Sequence, residues 1–339
     1  MKSNADKYVY VLRDQNFILI VIAHVDDLFM AATTTEALDA LAKHVFEQFE
    51  GRTVPSTRFL GTDITRDLIN KKIHLSQQHM VVKLIDRFGM GNLSPKSVPS
   101  DPSKRLKRCR LASDSFNFPY REAVGALLYL AISTRPDISY AVGQVAKHRQ
   151  NPDLSHWEAV EQIFAYLITT QDYGLWLGGD EENVIVGYCD ADFAGDINDR
   201  TSTSGNIFFL HGGPVAWSSK KQKCVALSTT EAEYVSASEA TKTAVWLRTL
   251  HNDFTGINYK VPLFCDNQGA VRLVHNPEFH PRTKHVDNRY HFVRKMDEDG
   301  LIEVLFVKSE NQLADIFTKP LPRTSFEKNR EKIGVGKMQ

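Results

Sequence analysis

Apolar and polar residues alternate in short blocks at the start of the chain, and this pattern predicts a β-hairpin. Residues 8–12 and 17–23 are mostly apolar, and a polar turn at 13–16 separates them. The segment His24-Val-Asp-Asp27 then lies between the second run and a third apolar run at 28–30. Two adjacent carboxylates between two apolar strands are most simply held at a tight hairpin tip.

A helical pattern follows the hairpin. Apolar residues recur at three- and four-residue spacing over 38–49, and Gly51 ends the run. Thr33 and Glu36 stand three residues apart just before this run, which matches a capping box. The pattern therefore predicts an amphipathic helix that begins after Thr33.

The middle of the chain is predicted to be mainly helical. Residues 59–61 and 73–75 resemble short strands, and Ser76 is the predicted cap of a following helix. Apolar stripes over 120–170 predict further helices, with a break at Pro136.

Strands and helices alternate in the second half, which predicts a mixed sheet flanked by helices. The predicted strands are 184–188, 207–210, 215–217, 262–265 and 302–307. The predicted helices are 229–252, 284–298 and 311–318. A polar break at 178–183 precedes them, so we predict two domains, 1–178 and 184–339, in an α/β (α+β) protein.

Composition narrows the class of protein. The 339 residues carry 41 Lys and Arg against 41 Asp and Glu, with 42% apolar residues, as in an ordinary globular chain of about two domains. This balance excludes a disordered chain and a uniformly basic coat protein, so any nucleic-acid site is a local patch. The four cysteines form no CxxC pair, and so few cysteines in a chain of this length indicate an intracellular protein, with the choice between cytoplasm and nucleus left open. The apolar run at 17–23 is too short to span a membrane.

Four acidic residues in the second half are the strongest candidates for chemistry. Asp190 and Asp266 follow apolar strands, and Asp315 and Glu233 lie in predicted helices. Strand ends in an α/β sheet face the edge where ligands usually bind. A cluster of carboxylates repels itself and requires a cation, and hard oxygen ligands favour two Mg²⁺ or Mn²⁺ ions.

Periodicity helps to choose among neighbouring acidic residues. Glu233 shares a helix face with small alanines, whereas Glu231 shares one with bulkier and more polar residues, so Glu233 is predicted to point inward. Asp190 and Asp192 lie on the same side of a strand, so periodicity leaves both open.

Seven motifs then occur in order along the second half. They are Tyr188-Cys-Asp-Ala-Asp192, Ser202-Thr-Ser-Gly205, Trp217-Ser-Ser-Lys-Lys-Gln222, Ser228-Thr-Thr-Glu-Ala-Glu-Tyr234, Cys265-Asp-Asn-Gln268, Arg282-Thr-Lys-His285 and Leu313-Ala-Asp-Ile-Phe-Thr-Lys-Pro320. Together they resemble the ribonuclease H domain of copia-type LTR retrotransposon Pol polyproteins. Earlier segments, His24-Val-Asp-Asp27, Phe59-Leu-Gly61 and 120–137, resemble the end of the preceding reverse transcriptase.

The resemblance implies a ribonuclease H-like five-stranded mixed sheet and hydrolysis of the RNA strand of RNA/DNA hybrids with two metal ions. The family's catalytic, metal-binding set falls on Asp190, Glu233, Asp266 and Asp315, which favours Asp190 over Asp192. Asp192 and His285 are accessory candidates. The implied nucleic-acid contacts are Ser228, Thr229, Thr230, Lys220, Lys221, Lys223, Asn267 and Gln268.

The first half resembles a truncated polymerase palm with a helical thumb or connection. Asp26 and Asp27 match the paired metal-binding aspartates of the palm hairpin, with His24 where the family usually has Tyr. The family requires a third carboxylate far upstream of this pair. We therefore predict that this chain does not polymerise DNA alone, and the missing polymerase front half is a candidate partner. The alternative function is a decayed or repurposed fragment that binds nucleic acid without cutting it.

Overall fold

A computed structural model describes residues 1–109, 117–179, 183–276 and 284–338. For residues 284–288 and 290 it describes the backbone alone. The described residues form three β-sheets with helices packed between and around them. The predicted mixed α/β fold is confirmed.

The first sheet contains the three apolar runs that were predicted as strands. It consists of β1 (Val9–Arg13), β2 (Ile18–His24) and β3 (Asp27–Ala32), each antiparallel to its neighbour. His24 pairs with Asp27, so Val25 and Asp26 form the predicted tight tip.

Helix α1 (Thr35–Gln48) follows the first sheet. Its cap is Thr34, whose hydroxyl accepts from the backbone N–H of Ala37. The predicted cap at Thr33 was therefore wrong by one residue, because the Thr33 hydroxyl instead accepts a hydrogen bond from the backbone N–H of Ile18 at 3.0 Å.

The second sheet and its helices fill the middle of the molecule. Helices α2 (Gln78–Arg87), α3 (Tyr120–Ser133), α4 (Ser139–Ala146) and α5 (Leu154–Thr169) confirm the predicted helical region. The predicted cap of α2 was wrong, because Gln77 takes that position. The sheet comprises β4 (Arg58–Phe59), β5 (Thr62–Asp67), β6 (Lys72–Ser76), β7 (Tyr173–Gly178) and β13 (Val335–Lys337).

The third sheet positions the candidate site. Its order is β10 (Gly213–Lys221), β9 (Thr203–Leu210), β8 (Val186–Ala191), β11 (Val261–Cys265) and β12 (Ile302–Phe306). The first three strands are antiparallel, and β11 runs parallel to both β8 and β12. This is the predicted five-stranded mixed sheet.

Helices α6 (Thr229–Thr255), α7 (Gln268–His275) and α8 (Lys284–Glu298) flank this sheet. One face of α6 is made of small residues, and Ala237, Ala240 and Ala244 are buried against β8 and β11 in the sheet's own core. The predicted small face of this helix is therefore confirmed.

The C-terminal segment differs from the prediction of one last helix over 311–318. Leu313–Phe317 forms a 3₁₀ helix, and α9 (Arg323–Lys332) and β13 follow it. Because β13 pairs with β7, the end of the chain joins the sheet of the first half. Ile207, Phe317 and Val335 share one hydrophobic core with helices α3 to α5. The predicted division between 178 and 184 stays a prediction.

Across the described parts of the chain, no helix combines the length and the apolar character that a membrane span requires.

Candidate metal centre

Asp190 lies near the end of β8, the central strand of the third sheet, with its side chain almost fully buried. Ser236 of α6 donates a hydrogen bond to the Asp190 backbone carbonyl at 2.6 Å. This contact holds the end of the strand against the helix.

Asp266 follows β11 directly. The parallel register pairs Leu263 with Gly187 and Phe264 with Tyr188. Two more residues along the same register bring Asp266 beside Asp190 at the carboxyl ends of the two strands. The Ser309 hydroxyl donates to Asp266 Oδ2 at 2.7 Å, which ties this carboxylate to the segment after β12.

Asp315 comes from the 3₁₀ helix that crosses the same edge. The buried Gln312 donates from Nε2 to the Cys189 carbonyl at 2.9 Å. The Ser219 hydroxyl donates to the Phe317 carbonyl at 2.6 Å. These two bonds fasten the helix to β8 and β10, and so bring Asp315 to the strand ends.

Gly205 of β9 permits this close approach. A Cβ at position 205 would lie 2.7 Å from Thr318 Cγ2 and 2.8 Å from Phe317 Cβ. Such distances are too short for carbon atoms, so a larger residue would push the 3₁₀ helix away from the sheet.

Glu233 and Glu231 are both buried, but they have different surroundings. Glu231 Oε2 accepts from the backbone N–H of Leu227 at 2.8 Å, which is a helix-capping role. Glu233 accepts from the backbone N–H of Ala191 and lies 3.9 Å from the Cys265 thiol. Glu233 is therefore the glutamate that faces the two strand ends, as its helix face predicted.

The carboxylates converge closely. One oxygen each from Asp190, Asp266 and Asp315 lies within 4.8 Å of the others, and no other such group of His, Cys, Asp or Glu occurs in the described residues. Burial, with the charge of Asp190, raises the pKa of Asp315 to about 7. Burial and the charges of Asp190, Cys265 and Asp266 raise the pKa of Glu233 far above its ordinary value. Hard oxygen donors at this spacing fit a Mg²⁺ or Mn²⁺ ion, which would offset the repulsion among them.

Asp192 faces a different environment from Asp190. Its Oδ1 accepts from the backbone N–H of Thr203, and its pKa rises to about 6 because of burial, although Lys147 opposes the shift. Asp192 is not part of the carboxylate group above. The structure thus separates two aspartates that strand periodicity left equivalent.

Two residues of this centre were not among the predicted site residues. Thr318 is buried, and its hydroxyl donates to Asp190 Oδ2. Lys319 Nζ lies 2.7 Å from Asp315 Oδ1 and 3.9 Å from Asp190 Oδ2. Although burial opposes it, the charges of Asp190 and Asp315 raise the pKa of Lys319. Both residues belong to the last quoted motif, and their spacing from Asp315 was the available signal.

The predicted nucleic-acid residues of α6 and α7 lie at helix starts. Ser228 caps α6 by accepting from the backbone N–H of Glu231, and Thr229 beside it is exposed. Thr230 donates to Asn267 Oδ1 at 3.5 Å, and Asn267 caps α7, where Gln268 is exposed. The residues predicted to contact nucleic acid through hydroxyl and amide groups therefore lie next to one another.

The three predicted phosphate-binding lysines have different surroundings. Lys220 and Lys223 are exposed. Lys221 instead forms ion pairs with Asp196 at 3.0 Å and with Asp199 at 2.6 Å, so these two aspartates compete with any phosphate for its charge. The side chain of His285 lies outside the described residues.

Asp26 and Asp27 are more exposed than the carboxylates of the candidate metal centre. Both are exposed at the tip between β2 and β3, and neither belongs to a group of three ligating side chains within the described residues. Val25 beside them has φ of 52°, a left-handed conformation that β-branched residues rarely adopt.

Comparison with known proteins gives long matches to transposon polyproteins. No protein-family model matches the chain. The chain is 37% identical over 343 residues to the retrovirus-related Pol polyprotein from transposon TNT 1-94 of Nicotiana tabacum, covering 99% of this chain and 26% of that polyprotein. It is 32% identical over 224 residues to a Saccharomyces cerevisiae protein named for transposon Ty5-1, covering 65% of this chain and 72% of that protein. The chain thus spans about a quarter of the tobacco polyprotein.

Among solved structures, LC11-RNase H1, isolated from compost by a metagenomic approach, is similar with a TM-score of 0.32 and 16% identity. That match covers 43% of this chain and 98% of LC11-RNase H1.

Proposed function

The chain belongs to the family of copia-type retrovirus-related Pol polyproteins of transposons, and from that membership we propose that residues 184–339 act as a ribonuclease H-type nuclease. The substrate would be an RNA/DNA hybrid, and the product would be a cut RNA strand with a 3′-hydroxyl and a 5′-phosphate. The observation that carries this proposal is the convergence of Asp190, Asp266 and Asp315 within 4.8 Å.

The residues of the centre have distinct roles in this proposal. Asp190, Asp266 and Asp315 would hold the divalent ions, with Glu233 completing the set from α6. Bound divalent ions supply the charge that activates a water and stabilises the leaving oxygen. Ser236 and Gln312 hold β8, α6 and the 3₁₀ helix together, so they fix the separation of the carboxylates.

Residues at the starts of α6 and α7 would distinguish the RNA strand of the hybrid from the DNA strand. Ser228 and Thr229 present hydroxyls, and Asn267 and Gln268 present amides, on adjoining helix ends. Such groups distinguish RNA from DNA by hydrogen bonding to the 2′-hydroxyl. Lys220 and Lys223, both exposed, would contact phosphates and make binding weaken as salt rises.

We propose that residues 1–178 correspond to the end of a polymerase palm and its thumb and do not polymerise DNA alone. The tight hairpin that carries Asp26 and Asp27 supports a palm origin. Polymerisation would require further carboxylate ligands, and primer extension by the purified chain would contradict the proposal.

The test is cleavage of an end-labelled RNA/DNA hybrid by the full chain, with Mg²⁺ and then with EDTA. The full chain is required because β13 pairs with β7. Asp190→Asn and Asp192→Asn form a matched pair, two residues apart. We expect Asp190→Asn to slow cleavage by about a thousandfold, since it removes an ion ligand worth several kcal/mol, and Asp192→Asn by less than about tenfold.

Two outcomes would contradict this function. Cleavage that persists in EDTA or in Asp190→Asn would mean that another activity cuts the RNA. A folded protein that binds the hybrid but leaves it intact would favour a nucleic-acid-binding fragment without catalysis.

A further inference from the structure

Lys319 forms ion pairs with two carboxylates of the candidate metal centre. Its Nζ lies 2.7 Å from Asp315 Oδ1 and 3.9 Å from Asp190 Oδ2. Both oxygens belong to carboxylates that the proposed function assigns to ion binding. Lys319 also follows Thr318, whose hydroxyl donates to the same Asp190 Oδ2. Consecutive residues thus provide a neutral donor and a positive charge to one carboxylate.

We propose that the Lys319 ammonium is a built-in counter-cation of the Asp190, Asp266 and Asp315 cluster, and that it sets the affinity of the centre by competing with the divalent ion. This proposal rests on the proposed function in one respect, namely that these carboxylates bind the ion. Lys319 is a positioning residue in this proposal, because it affects the bound ion only through the carboxylates.

The competition follows from distance and charge. A Mg²⁺ ion binds carboxylate oxygens at about 2.0–2.1 Å. An ammonium in ion-pair contact with Asp315 therefore repels an ion that binds the same side chain, and at such separations like charges interact strongly. One positive charge against three carboxylates lowers the attraction of the centre for a second cation.

The Lys319 ammonium can move away from the carboxylates into solvent. Its side chain is 44% exposed, and its stem has four flexible carbons, whereas Asp190 is 3% exposed. The backbone N–H of Lys319 donates to the Asp315 carbonyl at 3.3 Å, and Thr318 before it is buried. The ammonium can therefore swing to solvent while the backbone that carries Asp315 stays in place.

The test compares ion binding in Lys319→Met and in a matched control, Lys308→Met. Lys308 is an exposed lysine beside Ser309, which contacts Asp266, so its loss changes the net charge equally without removing an ion pair to the cluster. Isothermal calorimetry measures Mg²⁺ binding, and paramagnetic resonance measures Mn²⁺ binding. Both are independent of nuclease activity.

We expect Lys319→Met to bind Mn²⁺ about tenfold more tightly than the original chain, because one unit of repulsion is removed. Lys308→Met should stay within about twofold, and Lys319→Arg should restore the original affinity. In EDTA, Lys319→Met should unfold several degrees lower than Lys308→Met, since the carboxylates lose their counter-charge. Lys319→Gln serves as a second neutral variant if Met disturbs folding.

Unchanged or weaker Mn²⁺ binding in both neutral variants would overturn the proposal. So would tight binding in Lys319→Met that persists after Asp266→Asn is added, because the ion would then bind elsewhere. Hybrid cleavage by the original chain is measured in parallel. If the original chain does not cut and Lys319→Met still binds Mn²⁺ more tightly, the proposed nuclease fails while this proposal stands.

Discussion

The molecule places aspartates in two contrasting settings. Asp26 and Asp27 are neighbours in sequence, exposed at the tip of one hairpin. Asp190, Asp266 and Asp315 are far apart in sequence, but two strand ends and a 3₁₀ helix bring them within 4.8 Å. Water solvates the first pair and makes a counter-ion unnecessary, whereas in the second group Asp190 is buried and Asp266 and Asp315 are half-buried, so a counter-ion would offset their repulsion.

This contrast shows that distance along the sequence does not decide which carboxylates the fold brings together. Within the described residues, no side chain from another element joins Asp26 and Asp27 to form a group of three ligating side chains. The converging group is supported from several sides, by Ser236, Gln312, Ser309 and Thr318. Ligands held in this way need little reorganisation when an ion binds.

The largest expected difference between the two settings is in hydrolysis. Asp266→Asn removes a converging carboxylate, and Asp27→Asn makes the same chemical change at the hairpin tip. We expect the first to slow hybrid cleavage by about a thousandfold and the second by less than about twofold. Initial rates with saturating Mg²⁺ measure this. Equal losses in both variants would remove the distinction between the two settings.

The next expected difference is in how stability depends on pH when EDTA is present. The pKa of Asp315 rises from an ordinary 3.8 to about 7 in the folded chain. Between these values the folded state holds a proton that the unfolded state has lost, so this side chain lowers the stability as pH rises from about 4 to about 7. Above about 7 its effect is constant.

Thermal unfolding at several pH values tests this. Relative to the original chain, Asp315→Asn should gain several degrees between pH 4 and pH 7. Asp26→Asn, the exposed control, should keep a constant offset across the same range. Excess Mg²⁺ should reduce the slope of the original chain, since it binds the folded state. If the difference in unfolding temperature between Asp315→Asn and the original chain does not change with pH, folding does not raise the pKa of Asp315.

A smaller effect is expected from the groups that orient the carboxylates. Thr318→Val keeps the shape of the side chain but removes the hydroxyl that donates to Asp190. We expect about tenfold weaker Mg²⁺ binding, as is usual for the loss of a group that supports a ligand. Ser309→Ala, at an exposed position beside Asp266, should weaken binding by no more than about threefold. Calorimetry measures the Mg²⁺ affinity of both variants. A larger loss of affinity in Ser309→Ala than in Thr318→Val would mean that the buried hydroxyl is not the more important donor.

Periodicity in the sequence predicted much of the fold. The hairpin tip at 24–27, helices α3 to α6 and the mixed sheet are confirmed. Strands β5, β7 and β13 were missed. β5 carries polar side chains, β7 continues from a helical region, and β13 is a three-residue strand that exists only because it pairs with β7. Such pairing is a tertiary effect that local pattern does not contain.

The site was predictable to the level of residue type but not of surroundings. A helix face separated Glu233 from Glu231, because helical period places them on different sides. Periodicity left Asp190 and Asp192 equivalent, but β8 ends at Ala191, and Asp192 accepts a hydrogen bond from Thr203 whereas Asp190 accepts one from Thr318. Lys319 was missed as part of the centre because a lone lysine in a motif carries no sign of which carboxylates it will contact.

The smallest expected effect concerns the hairpin tip itself. Val25 has φ of 52°, where a β-branched side chain is strained and glycine is not. Val25→Gly should therefore stabilise the chain by up to about 1 kcal/mol, with part of the gain offset by the greater freedom of glycine in the unfolded state. Val25→Ala retains a Cβ and should gain less, which makes it the matched control in urea unfolding. Neither variant should change hybrid cleavage, because the tip contributes no ligand to the converging carboxylates. A loss of stability in Val25→Gly would mean that the valine side chain makes a contact worth more than the strain, and a loss of cleavage would mean that the two groups of aspartates are coupled.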